Sequence, residues 1–329
     1  MPARSARARP RGSSRSSSRS SSRSSSASSS LRLGLCCTFL DDTIRFRTTT
    51  VRYSSGLAAK DRRALLADLV LHNARALDAA IAYCAANGIG AFRVQSGLLP
   101  LATHPELGYG LDARHVRAAL EVLDAAGDRA REAELRLSFH PDQFVVPGSL
   151  RPEVVASSLA ELEHQAAVAE RIGAEQLTIH GGGAQGGKPA SLDRLRAGLV
   201  RLSPRARSRV VLENDDRVYT VEDLLPVCRE LAIPLFYDVH HHRCNPDALS
   251  IEDATRLAAE TWGTREPWAH LSSPAAGWRD GDPRPHADFI ALADVPRAWL
   301  DRRMTVDVEA KAKERAVLRL SRALARHAA

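Results

Sequence analysis

Leu135-Arg136-Leu137-Ser138-Phe139-His140-Pro141 and, beyond the stretch Pro152–Ile172, Gln176-Leu177-Thr178-Ile179-His180-Gly181 form the segment that decides the fold. Each flank is a short apolar run of strand length. Between them lies an Ala/Leu-rich stretch with helical periodicity, ending at Gly173, the residue type that closes helices in the left-handed conformation. Strand, helix and strand in that order predict a parallel βαβ unit, since parallel neighbours need a long, usually helical, crossover. The pattern repeats outward in both directions. Apolar runs suited to buried parallel strands fall at Leu31–Cys36, Gly90–Val94, Leu135–Phe139, Gln176–Ile179, Val210–Leu212, Leu235–Tyr237, Ala269–Leu271 and Met304–Val308. Helical stretches separate them, such as Lys60–Ala86, which is followed by Asn87-Gly88. Eight such units predict an α/β chain closed into a (β/α)8 TIM barrel. The seventh unit is the least regular, with a Pro- and Gly-rich loop over residues 272–303 before a short helix.

The strand ends carry the chemistry. The third run closes on His140, the fourth on His180, the fifth on Glu213-Asn214-Asp215, the sixth on Asp238, the seventh on His270 and the eighth on Glu309. In a barrel these carboxyl ends converge on one mouth, where active sites sit. Taken singly, a His after a strand is more often a hydrogen-bonded loop residue, and an Asp or Glu there often caps a helix. Six in phase are another matter. Gathering two Glu, one Asp and three His in one cavity without a cation would set like charges together at a cost of several kcal/mol. His241 follows Asp238 by three residues, so a turn there aims both inward; His286 on the seventh loop and His104 on the second complete nine candidates. Imidazole with carboxylate suits Mn²⁺ or Zn²⁺, whereas Mg²⁺ prefers oxygen ligands. Nine ligands exceed one tetrahedral ion, so the expectation is two or three ions with a bridging carboxylate. Paired ions suit phosphodiester hydrolysis, because they stabilise both the attacking and the leaving oxygen.

Other polar residues read more plainly. His240 and His242 flank His241, and on an extended segment they would point away from it, with one facing solvent. His72 and His164 lie within helical stretches and read as structural or surface residues. Gly181-Gly182-Gly183 and Gly186-Gly187-Lys188 are compatible with a phosphate cradle and equally with a flexible loop.

Charge is distributed unevenly. Of 46 basic residues, Arg4, Arg7, Arg9, Arg11, Arg15, Arg19 and Arg23 lie in residues 1–30, which hold no acid; 39 basic face 39 acidic residues in the remainder. Affinity of the body for nucleic acid must therefore come from local patches and bound cations rather than bulk charge. Residues 1–30 are nearly all Ser, Arg, Ala and Pro, and read as a disordered basic tail ahead of one domain over 31–329. Such a tail is either a non-specific phosphate tether or an inert solvated extension. The five cysteines are odd in number and lack a CxxC pair, which fits a reducing cytoplasm. No signal peptide and no membrane-spanning run is present, so a membrane protein is excluded from the expectation.

Read together, these residues resemble the ultraviolet damage endonuclease family. The resemblance runs from about Leu31 to Leu320. It is carried by Asn87-Gly88-Ile89-Gly90-Ala91-Phe92-Arg93, Thr103-His104-Pro105, Ser138-Phe139-His140-Pro141-Asp142-Gln143-Phe144, Ile179-His180-Gly181-Gly182, Leu212-Glu213-Asn214-Asp215, Asp238 with His241-His242 and Asn245-Pro246, Ala269-His270-Leu271-Ser272, and Val308-Glu309-Ala310-Lys311. It implies a barrel related to apurinic-site endonuclease IV, a cluster of two or three ions, usually manganese, and incision immediately 5′ of a pyrimidine dimer or (6-4) photoproduct in double-stranded DNA. It further implies that His140, His180 and Glu213 hold one ion, that Glu213, Asp238, His270 and Glu309 hold a second, and that His241 with His286 hold a third. Glu213, Glu309 and His104 become the catalytic candidates. Gln143 and Phe144 match an amide–aromatic pair that wedges into the duplex at the lesion, where a flat ring can replace lost stacking. Arg93 and Lys188 join them as DNA-facing candidates. Two positions depart from the family pattern: Leu35 stands where some members place a tyrosine, and Trp268 where some carry a modified lysine. The implied protein is a monomeric, nucleoid-associated cytoplasmic enzyme. The rival is a sugar isomerase or epimerase, which places similar ligands in a similar barrel; the wedge pair and the ligand count favour nucleic acid.

Overall fold

The structure is a computed structural model that describes residues 31–40, 43–279 and 281–328. The basic tail expected over 1–30 lies outside these residues. Eight parallel strands close into a barrel in sequence order, β1 pairing with β2 and so on round to β8 and back to β1. They are β1 Leu31–Cys36, β2 Ala91–Val94, β3 Arg136–Phe139, β4 Gln176–His180, β5 Val210–Glu213, β6 Leu235–Asp238, β7 Trp268–Leu271 and β8 Met304–Val308. Each expected run is a strand, but several reach further than their apolar residues. β4, β5 and β6 extend by one residue, so that His180, Glu213 and Asp238 are themselves the last paired positions.

Strand alternation sorts the side chains into two cores. Outward-facing residues such as Leu33, Leu35, Phe92, Leu137, Ile179, Leu212, Tyr237, Ala269 and Val306 belong to the large apolar shell between barrel and helices. Each fully buried Leu, Val or Phe there contributes roughly 1.5–3 kcal/mol. Inward-facing residues form layers. Ala91, Val211, Phe236 and Trp268, with Trp262, make a separate apolar plug inside the barrel. On one side of it lies a polar layer: Arg136 pairs with Glu175 and Glu266, donates to Thr305 Oγ1 at 2.7 Å and stacks 4.3 Å over Trp268. On the other side, at the carboxyl mouth, lie the His, Glu and Asp side chains.

The helices are α1 Val51–Ser55, α2 Ala59–Ala86, α3 Arg117–Glu132, α4 Pro152–Ile172, α5 Lys188–Leu199, α6 Pro204–Arg207, α7 Val221–Leu231, α8 Val239–Cys244, α9 Ile251–Glu260, α10 Arg297–Leu300 and α11 Lys313–Ala328. Their ends follow local chemistry. Proline opens α4, and Gly173, at φ 74°, closes it. Thr220 and Asp223 form a reciprocal capping box on α7. The irregular seventh loop is folded rather than loose. Pro274 and His286 form an antiparallel bridge, and Ala275 and Ala287 donate backbone N–H groups to Pro285 and Ser273 at 2.7 Å. Asp294 ties the loop down, accepting from Ser273 Oγ, from Trp278 Nε1 at 2.8 Å and from Arg243. Among the described residues no helix is long and apolar enough to cross a membrane.

Candidate metal centre

The layers place Glu213 at the centre of the mouth. It is fully buried, and its carboxylate faces four imidazoles: His140 Nε2 at 2.9 Å, His270 Nδ1 at 2.7 Å, His180 Nε2 at 3.6 Å and His241 Nδ1 at 3.5 Å. Three triads of ligand atoms overlap around it, each with atoms within 4.8 Å of one another: His140–His180–Glu213, Glu213–Asp238–His241 and Asp238–His270–Glu309. The first is the expected set. In the others the structure redistributes the expected ligands, grouping His241 with Glu213 and Asp238 rather than with His286. His286 sits at the edge, its Nδ1 3.7 Å from Glu309 Oε2.

Local structure explains how these groups are aimed. Asp238 ends β6 and caps α8, accepting from His241 N at 2.8 Å, which sets the His241 ring over the mouth. Asn214 locks the neighbouring strand end, donating to Asp238 O at 2.9 Å and accepting from Asp238 N at 3.0 Å. His140 Nδ1 lies 3.1 Å from Pro141 O; donating its N–H there leaves the Nε2 lone pair turned toward Glu213. A lone pair and a carboxylate oxygen repel unless a proton or a cation lies between them.

Electrostatics point the same way. Burial alone would raise the Glu213 carboxyl, but His270, His180 and His140 outweigh it and hold the group well below the usual carboxylate range. Glu309 behaves likewise: burial opposes its charge, and His270 and Arg93 more than compensate. Burial pushes the His180 imidazole down, toward the neutral form that ligates metals. Burial opposes the charge on His241 too, yet Asp238, Glu213 and Glu309 push it up to about 9. Asp238 Oδ2 and His180 Nδ1 are buried without a hydrogen-bond partner. Burial likewise opposes charge on His270, yet Glu213 and Glu309 push it well above the usual imidazole value, so these two rings hold protons that an ion would displace. An imidazole–carboxylate set with a free, inward-aimed carboxylate oxygen matches divalent transition-metal ions.

Several expected residues take other places. Arg93 is not on a DNA-facing surface. It points into the barrel, ion-paired with Glu309, 3.1 Å from His270 Nε2 and 3.3 Å from Cys37 Sγ. Lys188 is held by Asp223 at 2.5 Å, and Tyr219 Oη donates to Gly183 O at 3.2 Å, so the glycine run is a packed loop whose lysine is already paired. His240 and His242 are both buried, because the segment is a helical turn rather than extended chain. His242 lies between Tyr237 Oη at 2.6 Å and Asp247 at 3.2 Å, whereas His240 packs against Trp278 and His286. His72 and His164 are half-buried helix residues, as read from sequence. His104 stands apart from the triads; its Nδ1 accepts the backbone N–H of Glu106 and Leu107, both at 3.2 Å. Gln143 and Phe144 lie exposed on the loop after β3, Phe144 at 76%. Asp142 holds that loop, accepting from Phe144 N at 3.1 Å.

Sequence reasoning passed over two residues of the centre. Asn214 was read only as part of a motif. Asp307, fully buried on β8, was read as strand interior; burial pushes its carboxyl up, tempered by His270, Arg93 and the Trp268 indole. The signal for Asp307 was its spacing, two residues before Glu309 and so on the same face of β8.

Comparison with known proteins agrees with this geometry. The sequence model of the UV-endonuclease UvdE family matches residues 31–329. The UV DNA damage endonuclease of Deinococcus radiodurans is 36% identical over 301 residues, covering 88% of this chain and 94% of that one. The crystal structure of SacUVDE superposes with a TM-score of 0.78 at 28% identity, over 90% of this chain and 99% of that chain. Endonuclease IV from Thermus thermophilus superposes with a TM-score of 0.57 at 17% identity, covering 90% of this chain and 99% of that chain, and shares the fold. With a barrel whose mouth gathers these ligands and a family match along its whole described length, this chain belongs to the UV-endonuclease UvdE family.

Proposed function

We propose that the chain is a metal-dependent endodeoxyribonuclease that cuts double-stranded DNA immediately 5′ of ultraviolet photolesions, using two or three divalent ions, Mn²⁺ foremost, with Zn²⁺ or Mg²⁺ as alternatives. The observation that carries this reading is the buried Glu213 carboxylate, common to two of the three ligand triads and faced by four histidines. When bound, such ions supply Lewis-acid stabilisation of the phosphate and a water acidic enough to ionise near neutral pH. The chain's own residues do the rest. Glu213, common to two of the triads, would serve as a ligand in both and fixes their spacing. Glu309 takes the final position on the opposite wall, with Arg93 balancing its charge. His104, accepting two N–H groups at Nδ1, carries its proton at Nε2 and can donate it to a phosphate oxygen. Gln143 and Phe144 meet the duplex at the rim. On that reading the enzyme acts as a monomer and works at the nucleoid. The deciding experiment is incision of irradiated against unirradiated end-labelled duplex, with and without Mn²⁺; equal cutting of both, or cutting indifferent to chelation, sinks the reading.

Two expected results follow from this reading. The proton held by His241 up to about pH 9 must leave before the ring can ligate. His270, raised well above the usual imidazole value, must lose its proton too, so metal and protons compete and affinity should rise with pH from neutral upward. Calorimetric titration at pH 7 in buffers of different ionisation enthalpy should show net proton release; its absence would contradict the assignment of His241 and His270 as ligands. Separately, deleting residues 1–30 should preserve lesion-specific incision but weaken binding to undamaged DNA and flatten its salt dependence, since arginine contacts to phosphates act by counterion release. An unchanged salt slope would mark the tail as an inert extension.

A further inference from the structure

Asp307 lies beneath the ligands with no hydrogen bond of normal geometry. It pairs in register between Gly34 of β1 and His270 of β7, and it is 1% exposed. Neither carboxylate oxygen makes a hydrogen bond of normal geometry among the described residues, and the Trp268 indole N–H beside them is likewise unmatched. An unmet buried acceptor costs about 1–3 kcal/mol, and more when charged. The barrel nonetheless reserves room for it: a Cβ on Gly34 would fall 2.1 Å from Asp307 Oδ1. Glycine on β1 is what lets the carboxylate lie there.

His270 supplies the missing donor. Its Nδ1 faces Glu213 at 2.7 Å, Asp238 at 3.6 Å and Glu309 at 3.8 Å, which makes Nδ1 the ligand atom. Its Nε2 faces the other way, toward Arg93 Nη1 at 3.1 Å and Asp307 Oδ2 at 3.9 Å. A neutral imidazole that gives the Nδ1 lone pair to an ion carries its only N–H at Nε2. Arg93 has donors alone and cannot accept that N–H. We propose that Asp307 is the positioning residue of His270: with Nδ1 engaged, Asp307 accepts the Nε2–H, fixes the ring and raises its basicity, while Arg93 moves off Nε2. This assignment rests on the metal-centre reading above.

The test uses metal-free wild type, Asp307→Asn, Asp307→Ala and Gly34→Ala, titrated with Mn²⁺ and followed by electron paramagnetic resonance, with thermal unfolding of each metal-free form. Asp307→Ala should weaken one ion by about 10–100-fold, the effect of removing an outer partner of a metal-bound histidine. Asp307→Asn keeps an acceptor but not the charge and should weaken it less. Gly34→Ala should resemble Asp307→Ala, because its methyl must displace the carboxylate. Metal-free Asp307→Asn should unfold at or above the wild-type temperature, since it removes a buried carboxylate with no hydrogen bond of normal geometry. Equal Mn²⁺ affinity in all four proteins overturns the proposal. So does a metal-free Asp307→Asn that unfolds well below wild type, which would make Asp307 an ordinary packing residue. Wild type that binds no Mn²⁺ overturns the metal reading and the proposal together, a failure distinct from equal binding.

Discussion

Glu213→Gln is expected to lower incision of irradiated duplex by roughly 10³-fold or more, because Lewis-acid stabilisation is worth several kcal/mol and each 1.36 kcal/mol is tenfold in rate. The size of the effect comes from shared use. Glu213 belongs to two of the three ligand triads, and all four central histidines lie within 3.6 Å of its oxygens. An amide offers one neutral oxygen in place of two that share a negative charge, so neither triad can keep its ion at full affinity. The barrel should survive. The apolar shell between strands and helices and the plug of Ala91, Val211, Phe236 and Trp268 are untouched. The variant should therefore keep its helical circular dichroism and a single cooperative unfolding transition while its metal content falls. A variant that retains its ions and more than a tenth of its activity would remove Glu213 from the centre of the mechanism.

Phe144→Ala should cost about tenfold to a hundredfold in binding or incision of lesions in paired duplex, with metal content unchanged. Base–aromatic stacking is worth roughly 1–3 kcal/mol, which sets that range. A phenyl ring has no acid, base or ligand function, and at 76% exposed it is not holding up the protein. The alternative expectation, that it packs under its loop as ordinary core, predicts a lower melting temperature on truncation; its exposure argues for no change. The loss should shrink on lesions opposite a gap or mismatch, where the bases are already partly unstacked. Equal losses on paired and pre-opened lesions would remove the wedge role. Gln143, exposed beside it, should give a smaller effect in the same direction.

Much of this architecture was legible in the sequence, for a specific reason. A closed parallel barrel needs strands buried on both faces, and runs such as Val210–Leu212 and Leu235–Tyr237 announce themselves as continuous apolar stretches. Because strands alternate and all run one way, a His, Glu or Asp at the end of each run has one destination. Hence His140, His180, Glu213, Asp238, His270 and Glu309 could be placed at one mouth from strand phase alone. What escaped depends on contacts across the chain. Lys188 looks free in sequence, and only the approach of α7 brings Asp223 to it. Arg93 looks like a DNA contact until its strand phase is followed inward to Glu309. The His240–His242 run is too short to show a period, and the helical turn there is decided by Asp238 acting as cap. Asp307 was hidden because a carboxylate within a strand carries no local sign of the glycine that makes space for it, Gly34, which is its partner on β1 but lies at the other end of the sequence.

The apolar plug under the ligands has a kinetic consequence. With Phe236 and Trp268 sealing the barrel from below, ions can enter and leave the centre through the carboxyl mouth alone, the same opening over which a duplex would lie. On the proposed reading, loading would be ordered: ions first, DNA second. A chelator added to free protein should strip the centre quickly, whereas the same chelator added after DNA should act only as fast as the DNA departs. The enzyme's memory of its metal would then last as long as its grip on the substrate.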